Sequence, residues 1–331
     1  MSLFSAELNF ALELLRPAQR IGEQVRRALP SGPEAVAKAD TSPVTLADLA
    51  IQAWVARGLA ARFPADPLVG EEDTEVFAGE EGARLLDQVT QVLQAEIPDF
   101  TAAETRTAIA GGGHGGGATG RFWTLDPIDG TKGFLRGDQY AVALALVVDG
   151  TVQLGLLGCP NLWTSRERGR GCLFAAVRGQ GAWVYESGAD QPQPVHVSDL
   201  GPARANGLLL AESFESGHSS HHHAAHICER IGLLNPPLRL DSQAKYGVVA
   251  RGEAGLYLRL PTRAGYEEKI WDHAAGVLLV EEAGGRVTDV DGRPLDFSRG
   301  RTLSANRGVI ASNGRIHEAV LTAARDVLAQ K

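Results

Sequence analysis

Two apolar runs, Tyr140 to Val148 and Thr151 to Leu157, flank the dipeptide Asp149-Gly150. Asp-Gly between strand-like runs is a strong signal for a two-residue hairpin, because both central residues must take positive φ. A hairpin this apolar needs cover on its faces, so the segment predicts a buried antiparallel sheet. "CLFAAVRGQGAWVYE" extends that sheet, with a turn expected over Arg178 to Gly181. The chain has 331 residues and 44% hydrophobic content, enough to bury a sizeable core in two lobes.

Helical spacing surrounds the hairpin. Leu8, Leu12, Leu15, Ile21 and Val25 predict a helix from Ala6 to Leu29, with Pro17 expected to kink it or start a second one. "SPVTLADLAIQAWVARGLAARF" predicts another, with Thr45 as N-cap and Asp48 in the first turn. "DPLVGEED" reads as a short strand ending in acids, and Glu80 to Ile97 as an amphipathic helix. Glycines 111 to 117, broken by His114, read as a flexible loop. Ser187 to Pro194 is the best linker by composition. Beyond it strand and helix alternate, with helices expected around His221 to Ile231, Ala244 to Ala250, after Trp271 and from Gly314 onward. The chain is therefore expected to comprise an α+β lobe over 1–190 and an α/β lobe over 191–331.

A net charge of −8 argues against nucleic-acid polymers and acidic membranes as partners. No apolar run is long enough to span a bilayer. Cys159, Cys172 and Cys228 lack zinc-type spacing and fit free thiols in a reducing compartment. With no basic, apolar leader at Met1 to Phe10, the expectation is a cytoplasmic protein.

The chemistry concentrates in "FWTLDPIDGTKGF", Phe122 to Phe134. Asp126 and Asp129 end an apolar run around Pro127. Two carboxylates with the Ile128 carbonyl would suit magnesium, which prefers hard oxygens plus substrate phosphate. Asp-Pro-x-Asp-Gly is also good turn chemistry, and both readings stand on this stretch alone. Other acids shift the weighting. Glu71 and Glu72 end a strand, Asp48 lies on a helix start, and Asp272 is expected in the first turn of an apolar helix. Acids at strand ends and helix starts from four segments are what a polynuclear magnesium site requires. His218, His222 and His226 recur every four residues, but no third ligand has zinc spacing. The glycine tract satisfies G-x-G-x-x-G without a strand-to-helix setting, and "DVDGRPLDFSRG" lacks the final acid of a calcium loop, so a turn at Asp291-Gly292 is expected.

"SPVTLAD", "GEED", "DPIDGTKGF", "GHSSH", "DSQAKYG", "LYLRLP" and "EKIWDHAAG" occur in that order. Together they resemble the lithium-sensitive, magnesium-dependent phosphatases related to inositol monophosphatase, and within them the 3'(2'),5'-bisphosphate nucleotidase branch. The resemblance implies the layered α-β-α-β-α sandwich of the inositol monophosphatase and fructose-1,6-bisphosphatase (sugar phosphatase) type. It implies two or three Mg2+ ions on Glu71, Asp126, the Ile128 carbonyl, Asp129 and Asp272. Asp48 and Thr131 resemble the pair that orients and deprotonates the attacking water. Thr131, His218, Ser242, Lys245, Arg259 and Asp272 resemble substrate contacts. The implied reaction removes the 3'-phosphate of adenosine 3',5'-bisphosphate to give AMP, with 3'-phosphoadenylyl sulfate as a second substrate. An inositol polyphosphate 1-phosphatase and a non-catalytic nucleotide sensor are the alternatives. The expected partner is the nucleotide alone, with the protein a monomer.

Overall fold

A computed structural model describes residues 3–28, 43–164, 169–215, 220–263 and 265–329. The hairpin forms as its sequence dictates. β3 (Ala141–Val148) and β4 (Thr151–Trp163) pair antiparallel with Val148 opposite Thr151. Asp149 and Gly150 take φ of 47° and 72°, the left-handed pair that a two-residue hairpin turn requires. β2 (Arg121–Asp129) flanks β3, and β1 (Leu68–Gly70) lies parallel to β2 at the edge. β5 (Arg170–Val177), β6 (Gly181–Glu186) and β7 (Gln193–Pro194) continue past β4, so the order runs β1 to β7. The stretch expected to be a linker thus ends in a strand, because Gln193 and Pro194 pair with β6 at the sheet's rim.

Side chains along β3 alternate. Leu144 and Leu146 join one core, while Ala143, Ala145 and Val147 join another. The first core is closed by α1 (Ser5–Ala28), α2 (Pro43–Arg62), α3 (Gly79–Gln94) and α4 (Ala102–Ala110), through Leu15, Ile21, Leu49, Ile51, Leu59 and Val89. The small residues on the opposite face admit two later helices. These are α7 (Ala244–Ala250) and α8 (Ala274–Glu282), which follow α5 (Thr131–Arg136) and α6 (His221–Arg230) in the chain.

The second sheet comprises β8 (Leu210–Glu212), β9 (Leu238–Arg239), β10 (Leu256–Arg259), β11 (Arg286–Thr288) and β12 (Val309–Ser312), in the order β11-β12-β10-β8-β9. α7 and α8 lie between the two sheets, which is why every residue from Ala274 to Val280 is buried and apolar. Gly276 is required there, because a Cβ would lie 2.2 Å from the Tyr246 ring. α6 and α9 (His317–Ala329) cover the far face through Ile227, Val320 and Leu321 against Leu256, Leu258 and Ile310. The result is the α-β-α-β-α sandwich expected from the sequence.

Local expectations differ from the structure in a few places. α1 runs through Pro17 as one helix. The carbonyl that loses its donor belongs to exposed Glu13, where water can serve it, while buried Leu14, Leu15, Ala18 and Ile21 hold both halves on the sheet. α2 begins at Pro43, so Asp48 lies beyond its first turn and Thr45 is not its N-cap. Proline suits a helix's first turn, where its missing N–H is no loss. The glycine tract is not a free loop. Gly112 O accepts from Gly70 N at 2.8 Å and His114 N donates to Leu68 O at 3.1 Å, which ties the tract to β1. α4 was not expected, although Thr101 and Glu104 form a capping box at its start.

Candidate active site

β2 continues through "DPID" instead of ending in a turn. Asp126 lies opposite Ala143 and Asp129 opposite Ala141, so three steps on β2 face two on β3. That extra residue is a β-bulge at Pro127, a residue with no N–H to give the ladder. In a regular strand, residues three apart point to opposite faces. The bulge instead brings both carboxylates to one cavity. Gly130 follows with φ 89° and ends 2.9 Å, measured from a notional Cβ, from the Ser242 Cβ, so no side chain fits there. α5 starts at once with Thr131, which is exposed.

Five other stretches, at 71, 213–215, 241–245, 259 and 266–272, meet this strand end. The cavity, of about 330 Å³, is lined by Glu71, Asp126, Ile128, Asp129, Thr131, Ser242, Lys245, Arg259 and Asp272, together with Lys132, Ser213, Glu215, Asp241 and Tyr266. Asp48 is buried behind this wall, with its carboxylate oxygen within 4.8 Å of those of Glu71 and Glu72. Gln52, fully buried on α2, fixes the corner after β1. Its Nε2 donates to Glu72 O at 2.7 Å and its Oε1 accepts from Glu72 N at 3.0 Å. Gln243 fixes the other side, where its backbone N donates to Asp129 Oδ2 at 2.7 Å. Its side chain donates to Trp271 O at 2.9 Å and accepts from Gly276 N at 3.2 Å. Ser242, just before it, has φ 68°, a conformation that a non-glycine residue adopts only when its surroundings impose it.

The acids stand against their own solvation. Burial pushes the Asp126 carboxyl well up, and the charges of Glu71, Asp129 and Asp272 push further. Surrounding protein atoms, then Asp272, Glu72 and Asp129, push Glu71 up to about 8, although solvent reaches it at the cavity mouth. Burial and then Glu72 and Glu71 raise Asp48. Burial raises Asp272 against the opposing charges of Arg259 and His273. Asp126 Oδ1 is buried with no hydrogen-bond partner. Hard oxygen donors crowded this closely, one of them orphaned, fit divalent cations, which would remove the repulsion.

Two cations face the acids. Lys245 is 3% exposed and donates to Leu240 O at 3.2 Å; burial brings its ammonium down to about 8. Arg259 reaches Glu268 at 2.7 Å and Asp272 at 3.4 Å. Behind them His273, fully buried, bridges Tyr246 Oη at 2.8 Å and Glu268 Oε2 at 3.1 Å.

The structure thus gathers Glu71, Asp126, Ile128, Asp129, Thr131, Ser242, Lys245, Arg259 and Asp272 on one cavity and sets Asp48 just outside it. His218 lies outside the described residues. Tyr246 is fully buried and edge-on to Tyr257, a packing role with no access to ligand. Asp272 precedes α8 instead of lying in its first turn. Gln52, Gln243, Glu268 and His273 were missed; a glutamine or histidine carries no spacing that betrays a buried partner.

The remaining histidines do not converge. His221 Nε2 contacts Ser213 O, and the His222 and His226 ring centroids lie 4.2 Å apart with the planes tilted by 58°, without a third metal-ligating group among the described residues. Ser220 caps α6 by accepting from His223 N. Asp289 Oδ1 takes the N–H groups of Asp291 and Arg293, so "DVDGR" is a turn. The three thiols are buried and free, and burial pushes Cys172 up to about 11 and Cys228 up to about 12. They are poor nucleophiles.

A five-layer sandwich with acids from separate segments at the strand ends matches a known pattern. The inositol monophosphatase family is recognised over residues 9–329, and the chain belongs to that family. Its members are metal-dependent phosphatases. Among curated relatives, the 3'(2'),5'-bisphosphate nucleotidase of Schizosaccharomyces pombe is 42% identical over 337 residues, covering 97% of this chain and 95% of its own. That of Oryza sativa is 42% identical over 349 residues, covering 99% and 96%. Among solved structures, an inositol monophosphatase from Zymomonas mobilis aligns with a TM-score of 0.63 at 23% identity, covering 98% of this chain and 100% of its own. The Thermotoga maritima IMPase aligns at 0.62 and 22%, covering 98% and 99%. At that identity these two share the fold.

Proposed function

We propose that the chain is a magnesium-dependent 3'(2'),5'-bisphosphate nucleotidase that hydrolyses the 3'-phosphate of adenosine 3',5'-bisphosphate to AMP and phosphate, and also accepts 3'-phosphoadenylyl sulfate. One observation carries the reading. Glu71, Asp126, Asp129 and Asp272 share a single cavity with Lys245 and Arg259, a lining that suits both divalent cations and a phosphate. The near full-length similarity to curated nucleotidases supplies the substrate class.

Glu71, Asp126, the Ile128 carbonyl, Asp129 and Asp272 would hold two or three Mg2+ ions. When bound, these ions supply charge neutralisation for the carboxylates and phosphate and lower the pKa of water. Lys245 and Arg259 bind the phosphate that is not cleaved. Lys245 is still mostly protonated at neutral pH, and an adjacent phosphate favours that charge further. Arg259 is held in its fork geometry by Glu268, which His273 braces from behind. Thr131 orients the attacking water through its hydroxyl. Asp48 receives the proton, and burial makes it a stronger base than an exposed aspartate. The water oxygen bonds to phosphorus as the bond to the 3'-oxygen breaks, and that oxygen takes a proton from solvent to become the 3'-hydroxyl of AMP. Ser242 and His218 complete the nucleotide contacts. Glu71, Asp126 and Asp129 lie at the end of the seven-stranded sheet and Arg259 on the second sheet, which supports reading the chain as two lobes, 1–190 and 191–331, with β7 at Gln193–Pro194 still paired to the first sheet.

A phosphate-release panel with magnesium tests this reading. Adenosine 3',5'-bisphosphate is expected to be preferred over inositol 1,4-bisphosphate and over simple inositol monophosphate. A preference for inositol esters would replace the nucleotide assignment. Binding of the nucleotide with no release would make the protein a sensor.

A further inference from the structure

A second cavity, of about 550 Å³, lies between α1 and the rim of the first sheet and shares no lining residue with the carboxylate site. Arg26, Arg27 and Arg170 line it with a single carboxylate, Glu23, in a chain whose net charge is −8. Glu23 neutralises Arg27 at 3.1 Å. Arg170 stacks on Trp163 at 4.6 Å, and neither it nor Arg26 has a carboxylate partner among the described residues. Among the described residues the cavity therefore holds an excess of positive charge.

Two donors in its wall also lack acceptors. Tyr140 is 1% exposed, and its hydroxyl is buried without a partner. That hydroxyl approaches α1 at Gly22, where a Cβ would sit 2.9 Å away, and the charges of Glu23 and Arg27 act on it. The Arg26 Nε is likewise buried and unpartnered, with the guanidinium seated over Gly137 at the end of α5. Leaving a buried donor unmade is destabilising, and phenylalanine at 140 would avoid that while keeping the edge-on contact with Phe134. Donors without acceptors beside uncompensated guanidiniums complement a ligand with several acceptor oxygens and negative charge.

We propose that this cavity is a phosphate-type oxyanion site, taking inorganic phosphate or a phosphate monoester group on the Tyr140 hydroxyl, Arg26 and Arg170. The site lies one short helix behind the catalytic cavity. α5 begins at Thr131 and ends against Arg26, and Tyr140 adjoins Ala141, the strand partner of Asp129.

Isothermal titration of the full chain with inorganic phosphate in excess chelator tests the site, because without divalent ions the crowded carboxylates repel phosphate from the catalytic cavity. The wild type is expected to show one saturable site. Arg26→Gln is expected to weaken it about tenfold and Tyr140→Phe about threefold, steps typical of a charged and a neutral hydrogen bond. Both variants are expected to keep wild-type turnover, and neither to melt below the wild type, with Tyr140→Phe at or above it because its unpaired hydroxyl is gone. Absence of saturable binding in the wild type would overturn the proposal. So would unchanged phosphate binding in Tyr140→Phe, acetate binding as tightly as phosphate, or loss of the binding in Lys245→Ala instead.

Discussion

The backbone N–H of Gln243 donates to Asp129 Oδ2 at 2.7 Å, and through this bond the bulged end of β2 is fastened to the segment that leads into α7. The same residue holds Trp271 O and Gly276 N with its side-chain amide. One buried glutamine thus sets Asp129 and Asp272 relative to each other, though it lines no cavity itself. Replacing it by alanine leaves a carbonyl and an N–H unpaired in the interior, at about 1–3 kcal/mol each. Gln243→Ala is expected to lower the melting temperature and, in the folded fraction, to raise the magnesium concentration for half-maximal phosphate release. Magnesium dependence unchanged alongside the lower melting temperature would restrict Gln243 to packing.

Asp129→Asn keeps an oxygen for the Gln243 N–H and removes one negative charge from a cluster that repels itself. Turnover is expected to fall by about 10³ or more while the protein remains folded, the magnitude for loss of charge from a site working by electrostatic stabilisation. Phosphate-release assays paired with circular dichroism check both halves. Retained turnover at ordinary magnesium would remove Asp129 from the proposed ligand set.

Magnesium itself is expected to stabilise the fold. Burial first, and then the neighbouring carboxylates, raise Asp126, Glu71 and Asp272, and bound cations would offset both, since any ligand of the native state stabilises by mass action, about 2.7 kcal/mol at a hundredfold excess over Kd. Melting curves in magnesium chloride against sodium chloride of equal ionic strength are expected to show a rise. The rise is expected to shrink in Asp126→Asn.

His317 carries a pH dependence remote from the site. It is fully buried, and burial, with Arg286 adding to it, lowers its imidazolium from the ordinary value to about 4. Ser312 Oγ lies 2.8 Å from Nδ1, and Thr288 Oγ1, which gives its own proton to Asp289 O, lies 2.9 Å from Nε2. The neutral ring with its proton on Nε2 satisfies every partner, and a second proton would displace the Ser312 bond. The unfolded chain takes up this proton near pH 6.5, whereas the folded one waits until about pH 4. Stability is therefore full above pH 6.5, falls as pH drops towards 4, and levels off below, by about 3 kcal/mol in all. Urea unfolding of wild type and His317→Gln from pH 7.5 to 4 is expected to show a steeper loss in the wild type. Parallel curves would contradict the assignment.

Much of the architecture is encoded locally. The period-two run of β3, the Asp-Gly turn and the all-apolar α8 follow from side-chain spacing and φ preference, which are properties of neighbouring residues. The placing of acids at strand ends and helix starts, at Asp48, Glu71, Asp126, Asp129 and Asp272, is legible for the same reason. α4 shows a boundary case, since its capping box was present in the sequence but its apolar pattern is too short to stand out.

What the chain order leaves open is where those pieces meet. "DPID" reads as a turn from composition, yet pairing with β3 extends it as a strand and forces a bulge, and the bulge puts Asp126 and Asp129 on one side. The glycine tract reads as loose, yet β1 supplies it with hydrogen-bond partners. Gln52 and Gln243 gain their roles only because packing brings distant backbone groups within reach of a buried amide. The sequence by itself determined the chemical kinds of group and the local shapes that carry them. The tertiary structure decided their convergence, because burial between two sheets, and not proximity along the chain, holds like charges together and selects which polar groups must pair.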